Sequence, residues 1–448
     1  MNEYDENKPS SFIQYVDANS LYPTAMREKM PIGDFKDEDT TTYDWRQLNQ
    51  NSNRGCYLLG DMSFPKDKHD YLNDYPLAPY HKCIDEKDLS PYVKNCYDIL
   101  NEKGHDIKHN DKTPKLITDL NDRNRYFTHY LNLQLHEKLA AKINHIYRII
   151  SFNQSKILLE FVEWCASKRA EANNCKDEMK VNLFKLIPNS CFGKFIENIR
   201  KRVDLNLFDR NIEKENKTYR KYISKPTYKG LTDFGDMVYA LENRKQKILL
   251  NKPIFVGCSI LELSKWFMYD FYYNTLKKKY GERNAKLKLL GTDTDSLIYY
   301  VETNDIFEDM KQYKDVMDFS DYPKDHTLFN MDNCKKLGKF KDELNSKQIE
   351  EVIFLKSKCY YIKCNQVEKK VCKGVKKSVI KNELSKDDYK SCVEGINIIQ
   401  KNMNLIRSDK HQLYSINVSK TAMNSIDDKR YLLNDGINTL AYGHYGIN

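Results

Sequence analysis

Two aspartates separated by one threonine, Asp293 and Asp295, are the residues whose spacing most directly suggests chemistry. Apolar residues alternate with polar ones on both sides of them, at Leu287 and Leu289 and again at Leu297. This pattern predicts two short strands joined by a tight turn that carries the carboxylates. Carboxylates held this close repel each other, and a divalent cation is the usual reason to keep them together. An isolated Asp-x-Asp is more often an ordinary acidic turn, so a metal site needs a third carboxylate and a cationic partner.

Asp17 is the candidate for the third carboxylate. It follows an apolar run over 12–16 that predicts a strand, and it precedes Ser20 and Pro23, which suit a turn into a short helix. Asp17 is therefore expected at the carboxyl end of a strand, a common place for a catalytic acid. As a lone aspartate it is equally compatible with a helix N-cap.

Arg169 and Lys185 are the candidate cationic partners. Helical periodicity predicts one helix over 155–172 and another over 176–190, joined by a tight turn as an antiparallel hairpin. The first arm carries Arg169 and the second carries Lys185, so two cations facing one groove could bind a triphosphate. Solvated basic helix faces explain the same pattern equally well. A further helix is predicted over 134–148.

The remaining elements must position these side chains. Residues 29–115 are expected to form an irregular region with a few strands, and 252–276 a buried packing helix. Short strands are predicted near 203–207 and 236–241, and residues 378–448 are predicted to be mainly helical. Lysines interleaved with Tyr and Gly, which suit a nucleic-acid backbone, occur in three stretches of the last third: 338–341, 356–361 and 373–377.

Composition sets the limits on function. The chain has 448 residues, of which 40% are hydrophobic, which is enough for two or three domains with ample core. Its net charge of +9 favours a polyanionic partner. The 12 cysteines include no Cys-x-x-Cys pair, so reduced thiols are expected rather than a zinc module. Without an apolar stretch long enough for a membrane or a secretory leader, the protein is expected to be soluble and intracellular, and the sequence does not distinguish nucleus from cytoplasm.

Four motifs, taken in order, resemble those of the family B DNA polymerases. Asp-Ala-Asn-Ser-Leu-Tyr-Pro at 17–23 is similar to motif A, the segment 185–194 to motif B and Thr-Asp-Thr-Asp-Ser at 292–296 to motif C. Lys-Cys-Tyr at 358–360 is similar to the Lys-x-Tyr primer-binding motif. A motif B with Phe, the long A-to-B spacing and the closing Thr-Leu-Ala-Tyr-Gly-His most resemble the protein-primed branch, found in adenoviruses and Polinton-type transposons. Family members normally carry an exonuclease domain before motif A, and the chain is expected to lack it.

The resemblance implies an α+β right-hand fold with an antiparallel-sheet palm, helical-hairpin fingers and a mostly helical thumb. It places the palm with motif A at 1–28 and an insertion and connecting region at 29–130. The fingers with motif B follow at 131–199. The palm with motif C and Lys-x-Tyr occupies 200–377, and the thumb occupies 378–448.

The resemblance also assigns the site residues. The catalytic and metal-binding carboxylates are Asp17, Asp293 and Asp295, with two Mg²⁺ ions for which Mn²⁺ can substitute. Asp17 and Asp295 would bridge both ions, and Asp293 would lie further out. The nucleotide-binding residues are Ser20, Leu21, Tyr22, Arg169, Lys185, Asn189 and Phe192, among which Tyr22 would exclude a ribose 2′-hydroxyl. The primer- and DNA-binding residues are Ser190, Gly193, Lys358, Tyr360, Lys373, Gly374 and Lys376.

The implied function is a template-directed DNA polymerase, a nucleotidyltransferase that adds dNTPs to a primer 3′-hydroxyl by a two-metal mechanism. It would replicate a viral or transposon-like element and act as a monomer. Its partners would be template-primer DNA and dNTPs, and no membrane is expected. The resemblance to the protein-primed branch suggests a terminal protein as a further primer. One alternative is a catalytically silent DNA-binding remnant, which the expected lack of an exonuclease domain favours. The other, a reverse transcriptase-like enzyme, fits motif B and the Lys-x-Tyr residues poorly.

Overall fold

The computed structural model describes residues 9–283, 285–365, 367–409 and 412–447. The chain forms two compact units. The first comprises Met1–Asn189, Cys258–Lys401 and Lys420–Asn448, and the second comprises Ser190–Gly257 and Asn402–Ser419.

The strands, in chain order, are β1 Ser10–Ala18, β2 Met30–Glu38, β3 Arg54–Ser63, β4 Tyr80–Lys82, β5 Lys115–Ile117, β6 Arg123–His129, β7 Lys142–Ser155, β8 Val203–Asp209, β9 Tyr228–Asp233, β10 Val238–Arg244, β11 Leu287–Asp293, β12 Ser296–Thr303, β13 Met317–Asp318, β14 Phe340–Asp342, β15 Glu351–Lys356, β16 Cys359–Cys364, β17 Val367–Cys372, β18 Ile398–Asp409, β19 Gln412–Asn424, β20 Tyr431–Leu432 and β21 Thr439–Leu440. The α-helices are α1 Leu21–Met26, α2 His69–Leu72, α3 Pro91–Glu102, α4 Tyr130–Lys138, α5 Leu159–Asn174, α6 Glu178–Phe195, α7 Glu213–Ile223, α8 Ile254–Asp270, α9 Lys278–Glu282, α10 Ile306–Lys311, α11 Lys377–Glu383 and α12 Lys386–Glu394.

A five-stranded sheet in the first unit carries the candidate carboxylates. Its strand order is β11-β12-β1-β14-β13, with antiparallel pairs except between β13 and β14. The strand predicted over 12–16 and the predicted acidic hairpin are both confirmed as β1 and β11–β12. Val16, Leu297 and Val301 are fully buried in this sheet. Their apolar packing fixes the register between β1, which carries Asp17, and β12, which follows Asp295.

A second sheet of the first unit, β2-β7-β3-β6, corrects the helix predicted over 134–148. The helix α4 ends at Lys138, and Ala140 adopts a left-handed conformation before the chain enters the 14-residue strand β7. Isoleucines at 143, 146, 149 and 150 also suit a strand, because β-branched side chains pack well on a pleated surface. Pairing with β2 on one side and β3 on the other makes β7 a central strand, and this tertiary context overrides the helical spacing.

The predicted helical hairpin is confirmed as α5 and α6. A T-shaped contact between Trp164 and Phe184, with ring centroids 5.7 Å apart, joins the two arms. The second arm continues past Pro188 to Phe195, although proline removes a backbone donor there. The buried helix predicted over 252–276 is also present, as α8 followed by a π-helical stretch, Phe271–Lys277, and α9.

The C-terminal region corrects the prediction that 378–448 is mainly helical. Among the described residues of this region, only α11 and α12 are α-helical, and they pack on the sheet β15-β16-β17 around the buried Tyr361, Tyr389 and Met423. The chain then forms the long hairpin β18–β19. Polar and apolar residues alternate along β19, in the order Ile416, Asn417 and Val418, and this period of two is that of a strand.

The second unit has its own small core. Its sheet, β8-β10-β9, confirms the strands predicted near 203–207 and 236–241, and α7 packs on this sheet through Phe208, Tyr219 and Leu241. Among the described residues, no helix combines the length and the apolar character that crossing a bilayer requires.

Candidate active site

Asp17 lies next to the acidic hairpin tip, as the sequence predicts. β1 pairs with β12 so that Asp17 stands opposite Ser296, the first residue after the turn. The amide of Ala18 donates a 2.8 Å hydrogen bond to the carbonyl oxygen of Asp295. The strand pairing therefore brings together two carboxylate-bearing residues that are 278 positions apart in the sequence.

The turn that carries Asp295 is tight. Thr294 has a positive φ of 62°, and the amide of Asp295 donates a 2.7 Å bond back to the carbonyl of Asp293. Since β11 and β12 pair up to Asp293 and Ser296, only two residues form the connection. A loop this short leaves the two aspartates little freedom to move apart.

Negative charge accumulates around Asp17. Burial, then the neighbouring carboxylates of Asp295 and Glu343, raise the pKa of Asp17 to about 7, although Lys341 and Lys185 oppose the shift. Burial is also the largest cause that raises the pKa of Asp295, followed by Asp293 and Glu343 among the groups that raise it. Burial, reinforced by repulsion between the carboxylates, therefore disfavours the charged form of both aspartates.

Two of these neighbours, Lys341 and Glu343, were not among the predicted site residues. Lys341 stands directly opposite Asp17 in the β1–β14 pair, and its ammonium lies 2.6 Å from the carboxylate of Glu343. Glu343 is held beside β1 because its amide donates to the carbonyl of Tyr15 at 2.9 Å. The basic stretch 338–341 drew attention to this region, but nothing in its spacing indicated contact with Asp17.

The cations of the helical hairpin point towards the same place. Lys185, which is exposed on α6, lowers the pKa of both Asp17 and Asp295, so its charge acts on the pair. Arg169 on α5 donates a 3.2 Å hydrogen bond to the hydroxyl of Ser20, just before α1. Burial lowers the pKa of this guanidinium. Lys185 therefore acts on the two carboxylates, whereas Arg169 contacts the turn after Asp17, and the predicted binding of a triphosphate by both cations stays a prediction.

Tyr22 and Leu21 open helix α1 directly after this turn. Leu21 is buried, whereas Tyr22 is half-buried. Burial and, after it, the carboxylate of Asp295 raise the pKa of Tyr22, while Lys358 acts in the opposite direction. The Tyr22 side chain therefore lies within electrostatic reach of the hairpin tip and of the Lys-x-Tyr motif.

The Lys-x-Tyr motif contacts the acidic hairpin through its lysine. The ammonium of Lys358 lies 3.1 Å from the carboxylate of Asp293. Tyr360 is buried, and its hydroxyl shares a 3.1 Å hydrogen bond with the hydroxyl of Tyr15. The lysine thus remains near the surface, whereas the tyrosine side chain supports β1 from within.

The other predicted DNA-binding residues lie in two places. Lys373, Gly374 and Lys376 are exposed, and the amide of Lys373 donates 2.8 Å to the carbonyl of Lys358, which joins this stretch to the Lys-x-Tyr turn. The motif B residues Asn189, Ser190, Phe192 and Gly193 lie on α6 beyond Lys185; the last three belong to the second unit, where Phe192 is buried.

The residues near Asp17 have suitable chemistry for a hard cation. Their donors are carboxylate oxygens, which Mg²⁺ prefers, and a cation would relieve the repulsion that raises the pKa of Asp17. Within the described ranges, however, no group of three or more His, Cys, Asp or Glu side chains is arranged to hold a metal. Asp293 is engaged by Lys358 instead. The predicted three-carboxylate metal site therefore stays a prediction, whereas Asp17 and Asp295 fit the role by proximity and charge.

Comparisons with known proteins agree with this geometry. The family model described as DNA polymerase type B, organellar and viral, matches residues 4–274. No curated protein matches the chain. The ternary complex of phi29 DNA polymerase with primer-template DNA and incoming nucleotide is structurally similar, with a TM-score of 0.50 at 14% identity over 94% of this chain. An orthorhombic crystal form of phi29 DNA polymerase has a TM-score of 0.51 at 14% identity over 93% of the chain.

The structural likeness establishes the fold. The chain shares the right-hand polymerase fold of phi29 DNA polymerase, with mixed helix and sheet content. It spans 60% of the length of that polymerase in the first comparison and 59% in the second.

Proposed function

The chain belongs to the organellar and viral type B DNA polymerases, and from this premise we propose that it is a template-directed DNA polymerase that adds dNTPs to a primer 3′-hydroxyl. The family match confirms the resemblance to family B DNA polymerases over residues 4–274, which contain motifs A and B, and the protein-primed branch is part of the proposal. Replication of a viral or transposon-like element, with a terminal protein as a further primer, is the corresponding biological role. The observation that carries the proposal is that the carboxylates of Asp17 and Asp295 lie close enough to repel each other and that the charge of Lys185 acts on both.

The proposed reaction is an in-line attack of the primer 3′-oxygen on the α-phosphorus of a dNTP. A phosphorus–oxygen bond to the primer forms, the bond to pyrophosphate breaks, and the hydroxyl proton is lost. Because negative charge spreads over the phosphoryl oxygens, positioning and electrostatics supply most of the catalysis. Two Mg²⁺ ions, when bound, would activate the attacking oxygen and stabilise the leaving pyrophosphate, and Asp17 and Asp295 would hold them.

The cations and amides of the site would bind the triphosphate. Lys185 is exposed and acts on both aspartates, so it can neutralise the β and γ phosphates. Arg169 holds Ser20 and so fixes the turn after β1. Of the backbone amides from Asn19 to Tyr22, that of Asn19 already donates to the carbonyl of Lys339, so the amides that follow it would contribute the neutral donors, as amides do at many phosphate sites.

Selection of the sugar would depend on Tyr22. Its half-buried ring follows the turn after Asp17 and lies within reach of the charge on Asp295. A ring at this position would occupy the space of a ribose 2′-hydroxyl and so favour dNTPs over NTPs. Phe192 and Asn189 of motif B would contact the nucleotide, with the Phe192 ring under the new base pair.

The primer would be held by the Lys-x-Tyr region. Lys358 is fixed by Asp293 and exposed, so its ammonium can also reach a phosphate. Lys373, Gly374 and Lys376 would follow the backbone, and Ser190 and Gly193 would add contacts from motif B. Such binding is expected to be sequence-independent and to weaken as the salt concentration rises.

We assign the subdomains accordingly. The palm, 1–28 and 200–377, would include the five-stranded sheet, and the fingers, 131–199, would include α5 and α6. The connecting region, 29–130, would include β2, β3 and β6, and the thumb, 378–448, would include α11 and α12.

A primer-extension assay with Mg²⁺ tests the proposed function. Wild-type protein should extend a DNA primer on a DNA template, and Asp295→Asn should reduce extension at least about a hundredfold, since one carboxylate close to the transferred phosphate is neutralised. The matched control is Asp98→Asn, an exposed aspartate on α3, which should extend like wild type. Equal extension by Asp295→Asn and wild type would contradict the proposal.

The same assay separates the alternatives. The primer is offered on a DNA template and on an RNA template. A silent DNA-binding remnant would bind the DNA primer-template but extend the primer on neither of the two. A reverse transcriptase-like enzyme would extend well on an RNA template, whereas the proposed function requires a clear preference for DNA.

A further inference from the structure

The turn between Asp17 and helix α1 has an unusual backbone. Ser20 has φ 54° and ψ 65°, a left-handed conformation that non-glycine residues rarely adopt. Its side chain makes no capping hydrogen bond to the helix. Such a conformation persists only where surrounding groups determine it, so contacts on either side of Ser20 must hold the turn.

Part of the support comes from the loop before β14. The amide of Asn19 donates to the carbonyl of Lys339 at 2.8 Å, and the amide of Gly338 donates to the carbonyl of Asn19 at 3.1 Å. Gly338 has a φ of +79°, and a Cβ there would lie 2.7 Å from the methyl group of Thr24 in α1. Thr24 in turn donates to the carbonyl of Ser20 at 3.0 Å. The loop therefore packs closely against both the turn and the helix.

One buried carboxylate ties this loop to the turn. Asp318, at the end of β13, is only 4% exposed and accepts three hydrogen bonds. The Asn19 side-chain amide donates at 2.8 Å, the Lys335 amide at 2.7 Å and the Ser320 amide at 3.0 Å. The bond to Asn19 joins motif A to a residue 299 positions away in sequence.

We propose that Asp318 is a positioning residue for sugar selection: by holding the side chain of Asn19, it fixes the left-handed turn at Ser20 and thereby the place of the Tyr22 ring. The inference rests on the proposed function, because it assigns a role within that same site. Tyr22 follows Asn19 by three residues and lies in the first turn of α1. A displacement of about 1 Å at such a position is enough to change selectivity strongly.

Two alanine variants and their combination test the proposal. Asn19→Ala removes the bond to motif A while Asp318 keeps its two backbone donors, and Asp318→Ala removes all three bonds. In single-nucleotide incorporation, each should lower the ratio of kcat/KM for dNTP over NTP about tenfold, mainly by raising the kcat/KM for NTP. The double variant should lose no more than the worse single one, because both changes break the same contact.

A matched control separates positioning from loss of stability. Asp309 is also a buried carboxylate, 2% exposed, and it bonds to Thr303 at 2.6 Å and pairs with Arg283. Asp309→Ala should lower the melting temperature but leave the dNTP-to-NTP ratio unchanged. If Asp318→Ala does not fold, Asn19→Ala alone gives the answer, because it leaves Asp318 bonded to Lys335 and Ser320.

The outcomes distinguish this inference from the proposed function. An active wild type with an unchanged dNTP-to-NTP ratio in Asn19→Ala, or additive losses in the double variant, would overturn the role of Asp318 and leave the polymerase proposal intact. An inactive wild type would overturn the polymerase proposal itself, and this inference with it.

Discussion

At the scale of single residues, the account depends on the charges around Asp17. Burial and the nearby carboxylates of Asp295 and Glu343 raise the pKa of Asp17 to about 7, and Lys341 and Lys185 only partly compensate. Two carboxylates in such surroundings lower the stability of the fold, so stability does not explain why they are there. Groups with strongly shifted pKa values concentrate at functional sites. The proposed metal ions would offset this negative charge, which explains why both carboxylates are placed here.

Tyr22 provides a prediction at this scale. Tyr22→Ala should raise the kcat/KM for ribonucleotides at least about tenfold, because removal of the ring leaves room for a 2′-hydroxyl. Tyr22→Phe, which keeps the ring, should discriminate like wild type. The measurement is single-nucleotide incorporation of a dNTP and the matching NTP. Unchanged discrimination in the alanine variant would exclude the gate role.

The motif residues could be predicted because their chemistry is local. Asp-Thr-Asp on a tight turn and Asp17 at a strand end are visible in short windows of sequence, and the structure places them together. Lys341, Glu343 and Asp318 could not be predicted in this way. Their roles arise from pairing β14 with β1 and from a bond to Asn19, contacts that no spacing within their own segment encodes.

At the scale of elements, local periodicity succeeded where an element forms most of its contacts within itself. The hairpin of α5 and α6 and the long helix starting at α8 were predictable for this reason. β7 was not, because its apolar residues fit a helix when sheet neighbours are unknown. Tertiary pairing decided between the two periods. β19 was wrongly assigned to a helical region although its residues alternate with the period of a strand.

The packing of the acidic hairpin against β15 gives a prediction at this scale. A Cβ at Gly291 in β11 would lie 2.2 Å from the ring of Phe354, which stacks on Tyr360. Gly291→Ala should therefore destabilise the protein by about 1–3 kcal/mol, as overpacking does, and should reduce activity by displacing the hairpin.

Gly281 in α9 is the matched control, because nothing lies within 4 Å of a Cβ there. Gly281→Ala should be neutral or slightly stabilising, since alanine favours helix. Denaturant unfolding measures both free energies. Equal stability of Gly291→Ala and wild type would contradict the packing described for β11.

At the scale of the whole molecule, a buried polar cluster lies between α4 and α8. Glu262 accepts hydrogen bonds from Thr128 at 2.6 Å and from Asn132 at 2.9 Å. Although burial alone would raise its pKa, Lys265 and these donors hold the pKa of Glu262 at about 2. Burial lowers the pKa of His129 to about 4 and that of His136 to about 3.

This cluster predicts how stability depends on pH. Both histidines stay neutral in the folded protein, whereas in the unfolded chain each takes up a proton below a pKa of about 6.5. The contribution of the two histidines to the free energy of unfolding should therefore be largest above pH 6.5 and fall as the pH drops towards 4, by about 1.4 kcal/mol per histidine and pH unit at most. Asp17, whose pKa is raised to about 7, contributes in the opposite direction over the same range.

Urea unfolding at several pH values measures this dependence. His136→Leu, which removes one of the two titrating groups, should flatten the curve between pH 6.5 and pH 4. A pH dependence in His136→Leu that equals that of wild type would contradict the assignment of His136 as a buried neutral histidine.

The most direct test of the central claim is single-turnover incorporation by Asp17→Asn, with the affinity for primer-template DNA measured in the same samples. The account predicts that incorporation of one dNTP falls at least about a hundredfold, because the carboxylate next to Asp295 is neutralised, while the Kd for DNA stays within about threefold of the wild-type value. Incorporation at the wild-type rate by Asp17→Asn would contradict the claim that the Asp17–Asp295 pair is the catalytic centre.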